Sequence, residues 1–276
     1  MEFRTVVDIP KAGFAIQSCE PLLFVGSCFA DSIGQRFREE AFPVVVNPFG
    51  TMYNPVSVLH TVERCAEVPR IVFLTLGTNH IYRLKATGEV VDNCEKRPQS
   101  LFQEEVLTVD ECCDYLCRAV GVLQSRRPDV QVVLTVSPIR YRKYGYHESQ
   151  LSKATLLLAV EKLFTLHHFP FTTYFPAYEI VLDELRDYRF YASDMLHPSP
   201  QAVEYIWERL VDACFSPAAK AYLDEWRPVK QALNHKPFNP DAPETIRFRQ
   251  QTHERLEALR RKYPSLAVPS HGATAL

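Results

Sequence analysis

The chain has 276 residues, 46% of them hydrophobic, and its 31 Lys and Arg nearly balance 33 Asp and Glu. That length can bury a full core, and we expect one α/β domain with an appendage. The balanced charge argues against a general nucleic-acid binder, which is usually basic. No apolar stretch approaches the roughly 20 residues of a membrane span. The first residues lack the apolar core of a signal peptide, so we expect a cytoplasmic protein whose eight cysteines stay reduced.

Strand and helix patterns alternate along the first 216 residues. Continuous apolar runs predict buried strands, which fall at 22–26, 43–47, 71–77, 131–139 and within 171–180. Helices are predicted between these strands, at 29–40, after Asn54-Pro55, from the capping box of Thr108 and Glu111 to about 124, at 151–168, and after Ser199-Pro200. Residues 81–93 are interpreted as a hairpin. Strands joined by helices at this spacing predict a parallel sheet with helices on both faces.

The composition of the sequence changes after residue 216. Residues 217–276 are charged and predicted to form two helices, separated by a proline-rich break at 237–243. Asp241 and Glu244 are spaced to cap the second helix. We therefore predict a main domain at 1–216 and a helical extension at 217–276, whose tail at 270–276 is expected to be loose.

The junction between the first strand and the first helix carries Gly26, Ser27 and Cys28. Such a turn is either a plain tight connection, which Gly26 permits, or a platform for a serine nucleophile. A platform would expose the serine hydroxyl near the free N–H groups of a helix N-terminus, where negative charge is stabilised. Cys28 enters the helix and is interpreted as a small packing residue.

A serine nucleophile needs a base, and Asp194 precedes His197 by three residues. One turn at that spacing can place the carboxylate beside the imidazole and fix its tautomer. Ser27, Gly50 and Asn79 each follow a strand signal, so we expect them to gather at the carboxyl edge of the sheet, where ligands bind in such folds. Taken by itself, a turn of small residues or an Asp-x-x-His pair often has no catalytic role.

Several blocks of the sequence resemble the GSCFA family, a branch of the SGNH/GDSL-like hydrolase superfamily. They are GSCFA at 26–30, NPFGTMYNP at 47–55, LTLGTN at 74–79, NCEKRP at 93–98, LTVSPIR at 134–140, ESQLSKATLLLA at 148–159 and DMLHP at 194–198. The resemblance implies a flavodoxin-like three-layer α/β/α fold and ester hydrolysis without a metal or organic cofactor. It implies Ser27 as nucleophile, His197 and Asp194 as the rest of a triad, and Ser27, Gly50 and Asn79 as oxyanion donors.

Two positions depart from the expected pattern. His80 follows Asn79 where the wider superfamily carries an acid, and Asn79 could instead hold its own turn. Tyr141 and Tyr144 stand where the family often has His and Asp, so the specificity of this loop could differ. His80 is a possible pocket residue, and so are three cations that are equally consistent with a solvated surface: Arg83, Lys96 and Arg140.

Three function classes remain at this point. The first is a serine esterase for a small-molecule or carbohydrate ester, such as an O-acetylated sugar. The second is an acyltransferase that uses the same site and an alcohol acceptor. The third is a binding protein that keeps the fold without catalysis. We expect no nucleic-acid or membrane partner, and the sequence leaves the oligomeric state open.

Overall fold

A parallel sheet of five strands forms the centre of the structure, a computed structural model that describes residues 1, 4–94, 97–166 and 169–269. The strands of the chain are β1 Leu22–Gly26, β2 Val44–Val46, β3 Ile71–Leu76, β4 His80–Leu84, β5 Val90–Val91, β6 Phe102–Val106, β7 Gln131–Val136 and β8 Thr172–Tyr174. The central sheet has the order β2-β1-β3-β7-β8, with all neighbours parallel. The five predicted core strands are confirmed.

Helices cover both faces of this sheet. They are α1 Cys28–Glu39, α2 Pro55–Arg64, α3 Val109–Arg126, α4 Tyr146–Leu166, α5 Ala177–Glu179, α6 Pro200–Cys214, α7 Pro217–Asn234 and α8 Pro243–Lys262. Successive strand residues point to opposite faces. Phe24 and Phe73 therefore pack with α1 and α6, whereas Leu23 and Val72 pack with α2, α3 and α4. The three-layer α/β/α architecture is confirmed.

A second, antiparallel sheet of order β5-β4-β6 stands beside the central one. The predicted hairpin at 81–93 corresponds to β4 and β5, which pair antiparallel. The strand β6, which pairs with the whole of β4, was not predicted from the sequence. Its letters, FQEEV, mix charge and apolar residues without the alternation that marks a half-buried strand.

Two helix starts test the predicted capping signals. The capping box of α3 is confirmed, because Thr108 Oγ1 accepts from the N–H of Glu111 and Glu111 Oε2 accepts from the N–H of Thr108. The predicted box of α8 is wrong. The N-cap there is Ala242, and no side chain caps the helix.

The predicted extension packs into the main core rather than standing apart from it. Tyr222 and Trp226 of α7 are fully buried in the same cluster as residues of α1 and α6. Tyr222 Oη donates to the carbonyl of Glu40 (2.5 Å), and Trp226 Nε1 donates to that of Glu39 (3.0 Å). The boundary at residue 216 stays a prediction, and the tail at 270–276 lies outside the described residues. Within the described ranges, no helix combines the length and the apolar character needed to cross a bilayer.

Candidate active site

Ser27 lies at the turn between β1 and α1, as the N-cap of α1. The turn depends on Gly26, whose φ is +143° and where an added Cβ would collide with the carbonyl oxygen of Thr75. Ser27 is fully buried. Its N–H donates to Thr75 O (3.0 Å), and its Oγ accepts from Phe29 N (3.3 Å) and lies 3.2 Å from Thr75 Oγ1.

The loop after β2 closes over this turn through Asn47. The side-chain oxygen of Asn47 accepts from Gly26 N (2.8 Å), and its Nδ2 donates to Asp31 Oδ1 on α1 (2.9 Å). Further along the loop, Met52 N donates to the carbonyl of Gly26 (2.8 Å). The turn at Gly26 and Ser27 is therefore held both by the loop after β2 and by β3.

Asp194 and His197 form the pair that their spacing predicts. His197 Nδ1 lies 2.6 Å from Asp194 Oδ2, while Asp194 Oδ1 accepts from the N–H groups of Leu196 (2.8 Å) and His197 (3.0 Å). The backbone bonds and the imidazole lower the pKa of Asp194 to about 2. An ionised carboxylate on Nδ1 favours the tautomer in which Nε2 is the free acceptor.

Arg140 holds the histidine loop against the end of β7. Its N–H donates to the carbonyl of Leu196 (3.0 Å), and its guanidinium donates to that of Met195 (3.1 Å). The pair thus lies at the carboxyl edge of the sheet, as does the β1–α1 turn. The hydroxyl of Ser27, however, is bonded to Thr75 and Phe29 rather than to His197.

Gly50 and Asn79 also follow their strands as predicted, but their donors have internal partners. The N–H of Gly50 donates to the carbonyl of Asn47 (2.9 Å), in an exposed turn. Nδ2 of Asn79, which is buried, donates to the carbonyl of Leu107 (2.7 Å). This is the turn-holding geometry that the sequence left open as the alternative for Asn79.

Two of the possible pocket residues belong to the small sheet. His80 is buried, its Nδ1 is 2.8 Å from Glu104 Oε1, and its ring stacks on Tyr144 at 3.8 Å. Arg83 pairs with Glu105 (2.8 Å). Both side chains therefore carry acidic partners on β6.

The two remaining candidate pocket residues are Arg140 and Lys96. The guanidinium of Arg140 lies over the rings of Tyr146 (4.3 Å) and Tyr191 (5.2 Å). It lines a cavity of about 240 Å³, together with Tyr178. Lys96 lies outside the described residues.

Lys153, a charged residue on the inner face of α4, was not among the predicted site residues. It is 2% exposed and its Nζ donates to the carbonyl of Gly77 (2.6 Å). Burial lowers the pKa of Lys153 to about 7. A signal was present, because Ser149, Ser152 and Lys153 share one face with Leu156, and all four are buried.

Tyr141 closes the site beside the serine. An ideal Cβ on Gly77 would collide with the hydroxyl of Tyr141 and would lie 3.3 Å from Cβ of Ser27. The ring of Tyr141 packs edge-on against Tyr53, with 6.1 Å between centroids. The hydroxyl of Tyr53 in turn lies 3.7 Å from Sγ of Cys28, a half-buried thiol whose pKa burial raises.

A parallel sheet between two helical layers, with a serine after its first strand and an Asp-His pair before α6, defines the class as a three-layer α/β/α protein with a candidate hydrolase site. The model of the GSCFA family matches residues 21–70 and 66–210, and that of the GSCFA domain protein, C-terminal domain, matches 226–270. The chain belongs to the GSCFA family. No curated protein matches it.

Solved structures with a related fold include three bacterial proteins. One is a GDSL-like lipase from Bacteroides thetaiotaomicron (13% identity, 70% of this chain and 86% of that chain, TM-score 0.45). Another is a member of the lipolytic protein G-D-S-L family from Veillonella parvula (11%, 70% and 96%, 0.45). The third is a mutant acetyl-xylooligosaccharide esterase from Geobacillus stearmophilus (14%, 72% and 96%, 0.42).

Proposed function

We propose that the protein is a serine hydrolase of carboxylic esters, with Ser27 as nucleophile, His197 as base and Asp194 as the carboxylate that orients the base. The observation that carries the proposal is the 2.6 Å pair of His197 and Asp194 at the same sheet edge as Ser27. A base oriented by a carboxylate is what a serine hydroxyl needs to become nucleophilic.

The reaction follows from these roles. Oγ of Ser27 attacks the ester carbonyl while its proton passes to Nε2 of His197. The imidazolium gives this proton to the leaving alcohol, which departs as the acyl-serine forms. Water then attacks the acyl group with His197 again as base, so one ester and one water give one acid and one alcohol. Asp194 stays ionised throughout, since its pKa is about 2.

The substrate class we propose is a small-molecule or carbohydrate ester. The cavity beside the histidine loop is lined by tyrosine side chains, among them Tyr146, Tyr178 and Tyr191, and the guanidinium of Arg140 lies over the rings of Tyr146 and Tyr191. Aromatic faces and a guanidinium suit a polar ring carrying an acyl group. Attack on such a substrate requires that Ser27 give up its cap on Phe29.

A non-catalytic binding role is the second candidate, favoured by one observation. Ser27 is fully buried and caps α1, which is the arrangement of a structural serine. Ser216 offers a matched comparison, because it is a buried N-cap serine that begins α7, at the opposite end of α6 from the Asp-His pair.

The deciding experiment compares Ser27→Ala with Ser216→Ala. Both lose an N-cap, so both should lose about 1 kcal/mol of unfolding free energy. If the proposal holds, only Ser27→Ala also loses hydrolysis of p-nitrophenyl acetate and covalent labelling by a fluorophosphonate. Labelling of folded Ser27→Ala at the wild-type rate would refute the nucleophile. Product analysis with an added alcohol separates hydrolysis from acyl transfer.

A further inference from the structure

The hydroxyl of Tyr141 is buried, lies beside Ser27 and has no hydrogen-bond partner among the described residues. This hydroxyl and Cβ of Ser27 lie on the same side of Gly77. A Cβ added to Gly77 would collide with the hydroxyl of Tyr141 and would touch Cβ of Ser27. The Tyr141 oxygen is one of the few buried side-chain polar atoms in the described residues without a hydrogen bond. A buried donor without an acceptor costs about 1–3 kcal/mol, so its retention here calls for a reason.

The phenol remains protonated at physiological pH. Burial raises the pKa of Tyr141 well above its usual value, and the nearby phenol of Tyr53 and thiol of Cys28 act in the same direction. The ammonium of Lys153 lies 5.2 Å from the ring centroid. A hydroxyl that cannot ionise is a permanent hydrogen-bond donor.

The donors that the family resemblance assigns to the oxyanion all make hydrogen bonds to carbonyl groups of the protein. The N–H of Ser27 binds Thr75 O, that of Gly50 binds Asn47 O, and Nδ2 of Asn79 binds Leu107 O. A negative oxygen formed at Ser27 would have to compete with a carbonyl for the N–H of Ser27 and for that of Gly50, whereas Nδ2 of Asn79 carries a second hydrogen beside the one on Leu107 O. The hydroxyl of Tyr141 has no such competitor among the described residues.

We propose that the Tyr141 hydroxyl is a catalytic residue that donates a hydrogen bond to the acyl oxygen of the substrate when Ser27 attacks. The inference rests on the proposed function and adds a donor that the sequence did not assign. Because the hydroxyl of Tyr141 and Cβ of Ser27 lie close to the same point beside Gly77, an acyl group that reaches the serine there meets the phenol. The oxygen of that group supplies the acceptor that the hydroxyl lacks, and the bond strengthens as charge develops on it.

The test is Tyr141→Phe, with Tyr82→Phe as matched control. Both changes remove one phenol hydroxyl from the same aromatic neighbourhood, but the hydroxyl of Tyr82 already has partners in Tyr144 and Lys143. For Tyr141→Phe we expect kcat on p-nitrophenyl acetate to fall on the order of 10²–10³-fold with KM nearly unchanged. Tm should stay the same or rise, since a buried hydroxyl without a partner is removed. Tyr82→Phe should keep kcat.

Fluorophosphonate labelling of Ser27 gives a second readout, because the phosphonyl oxygen occupies the place of the acyl oxygen. Slower labelling of Tyr141→Phe supports the donor role. A wild-type kcat per folded molecule, or labelling at the wild-type rate or faster, would show that the ring only covers the serine and would overturn the inference. If instead Ser27→Ala labels like the wild type, the proposed function itself fails and the role of Tyr141 falls with it.

Discussion

Lys153 is a buried ammonium whose bond in the described structure goes to a carbonyl, that of Gly77, and not to a carboxylate. Its pKa is lowered from 10.5 to about 7, whereas the unfolded chain keeps the ordinary value. Between these two pH values the unfolded state binds more protons, so this group makes the unfolding free energy rise with pH. Lys153 therefore lowers the unfolding free energy at neutral and lower pH, and this loss disappears towards pH 10.

Lys153→Met tests this sign. The variant keeps the length of the side chain and removes its titration. Urea unfolding of both proteins between pH 7 and 9.5 should show the wild type gaining stability relative to the variant as pH rises. The difference isolates Lys153, because the buried cysteines titrate identically in both unfolded chains. A constant difference across the range would contradict a lowered pKa.

Asn79 is expected to support its turn, since its amide donates to Leu107. Asn79→Ala should lower the unfolding free energy by about 1–2 kcal/mol through the lost bond, with kcat per folded molecule within a few fold of wild type. Asn54→Ala is the control, because that buried side chain caps α2 by accepting from Ser57 (3.0 Å). A kcat loss of 100-fold or more for Asn79→Ala alone would support the predicted role of Asn79 as an oxyanion donor.

The sequence predicted those residues of the candidate site that short-range patterns identify. A glycine-serine junction after an apolar run and a three-residue Asp-His spacing are short-range patterns, and both appear in the structure as predicted. The enclosure of Ser27 is different. It arises because the segment after β7 lays Tyr141 over Gly77, and because α4 turns Lys153 towards the same glycine. Contacts between segments so far apart in the chain have no local signature.

The helices and strands also divide into those with a clear sequence pattern and those without one. Apolar runs predicted the five central strands. The signal is strongest for β1, β3 and β7, which are buried on both faces, whereas the edge strands β2 and β8 are only partly buried. The strand β6 at Phe102–Val106 has exposed charges and pairs on one side with β4, so its signal was too weak. The start of α4 at Tyr146 lies ahead of the predicted residue 151, because its polar first turn precedes the apolar stretch. The helix begins there after Gly145, whose φ is +80°.

The two predicted capping boxes give a test at the scale of one helix. Thr108→Ala removes a cap that accepts from Glu111 N (3.2 Å) and should cost about 1 kcal/mol of unfolding free energy. Asp241→Ala should change it by less than about 0.5 kcal/mol, because α8 has no side-chain cap and surface substitutions away from such features are nearly neutral. Equal losses measured by urea unfolding would contradict the difference between the two helix starts.

The helix α7 supports α1, the helix that follows the candidate nucleophile Ser27. The helix α1 ends with carbonyl groups that need donors. Those of Glu39 and Glu40 receive them from Trp226 and Tyr222 of α7. The ring of Tyr222 also packs edge-on against Phe42, which touches Phe37 in the core of the main domain. Ser27 sits at the other end of the same helix, so the extension and the candidate site share one rigid support.

Trp226→Ala should therefore destabilise the entire fold and not only the extension. Removal of a fully buried indole leaves a cavity and a carbonyl of Glu39 without its donor, at a cost of about 3–5 kcal/mol. The neighbouring Arg227 is an exposed residue paired with Asp224, so Arg227→Ala should cost less than about 0.5 kcal/mol. Urea unfolding followed both by circular dichroism and by the protection of Cys28 from a thiol reagent gives the comparison. A single transition shifted to lower urea in both signals is expected for Trp226→Ala. A transition that leaves Cys28 protected would mean that α7 and α8 unfold alone, and would separate the extension from the support of α1.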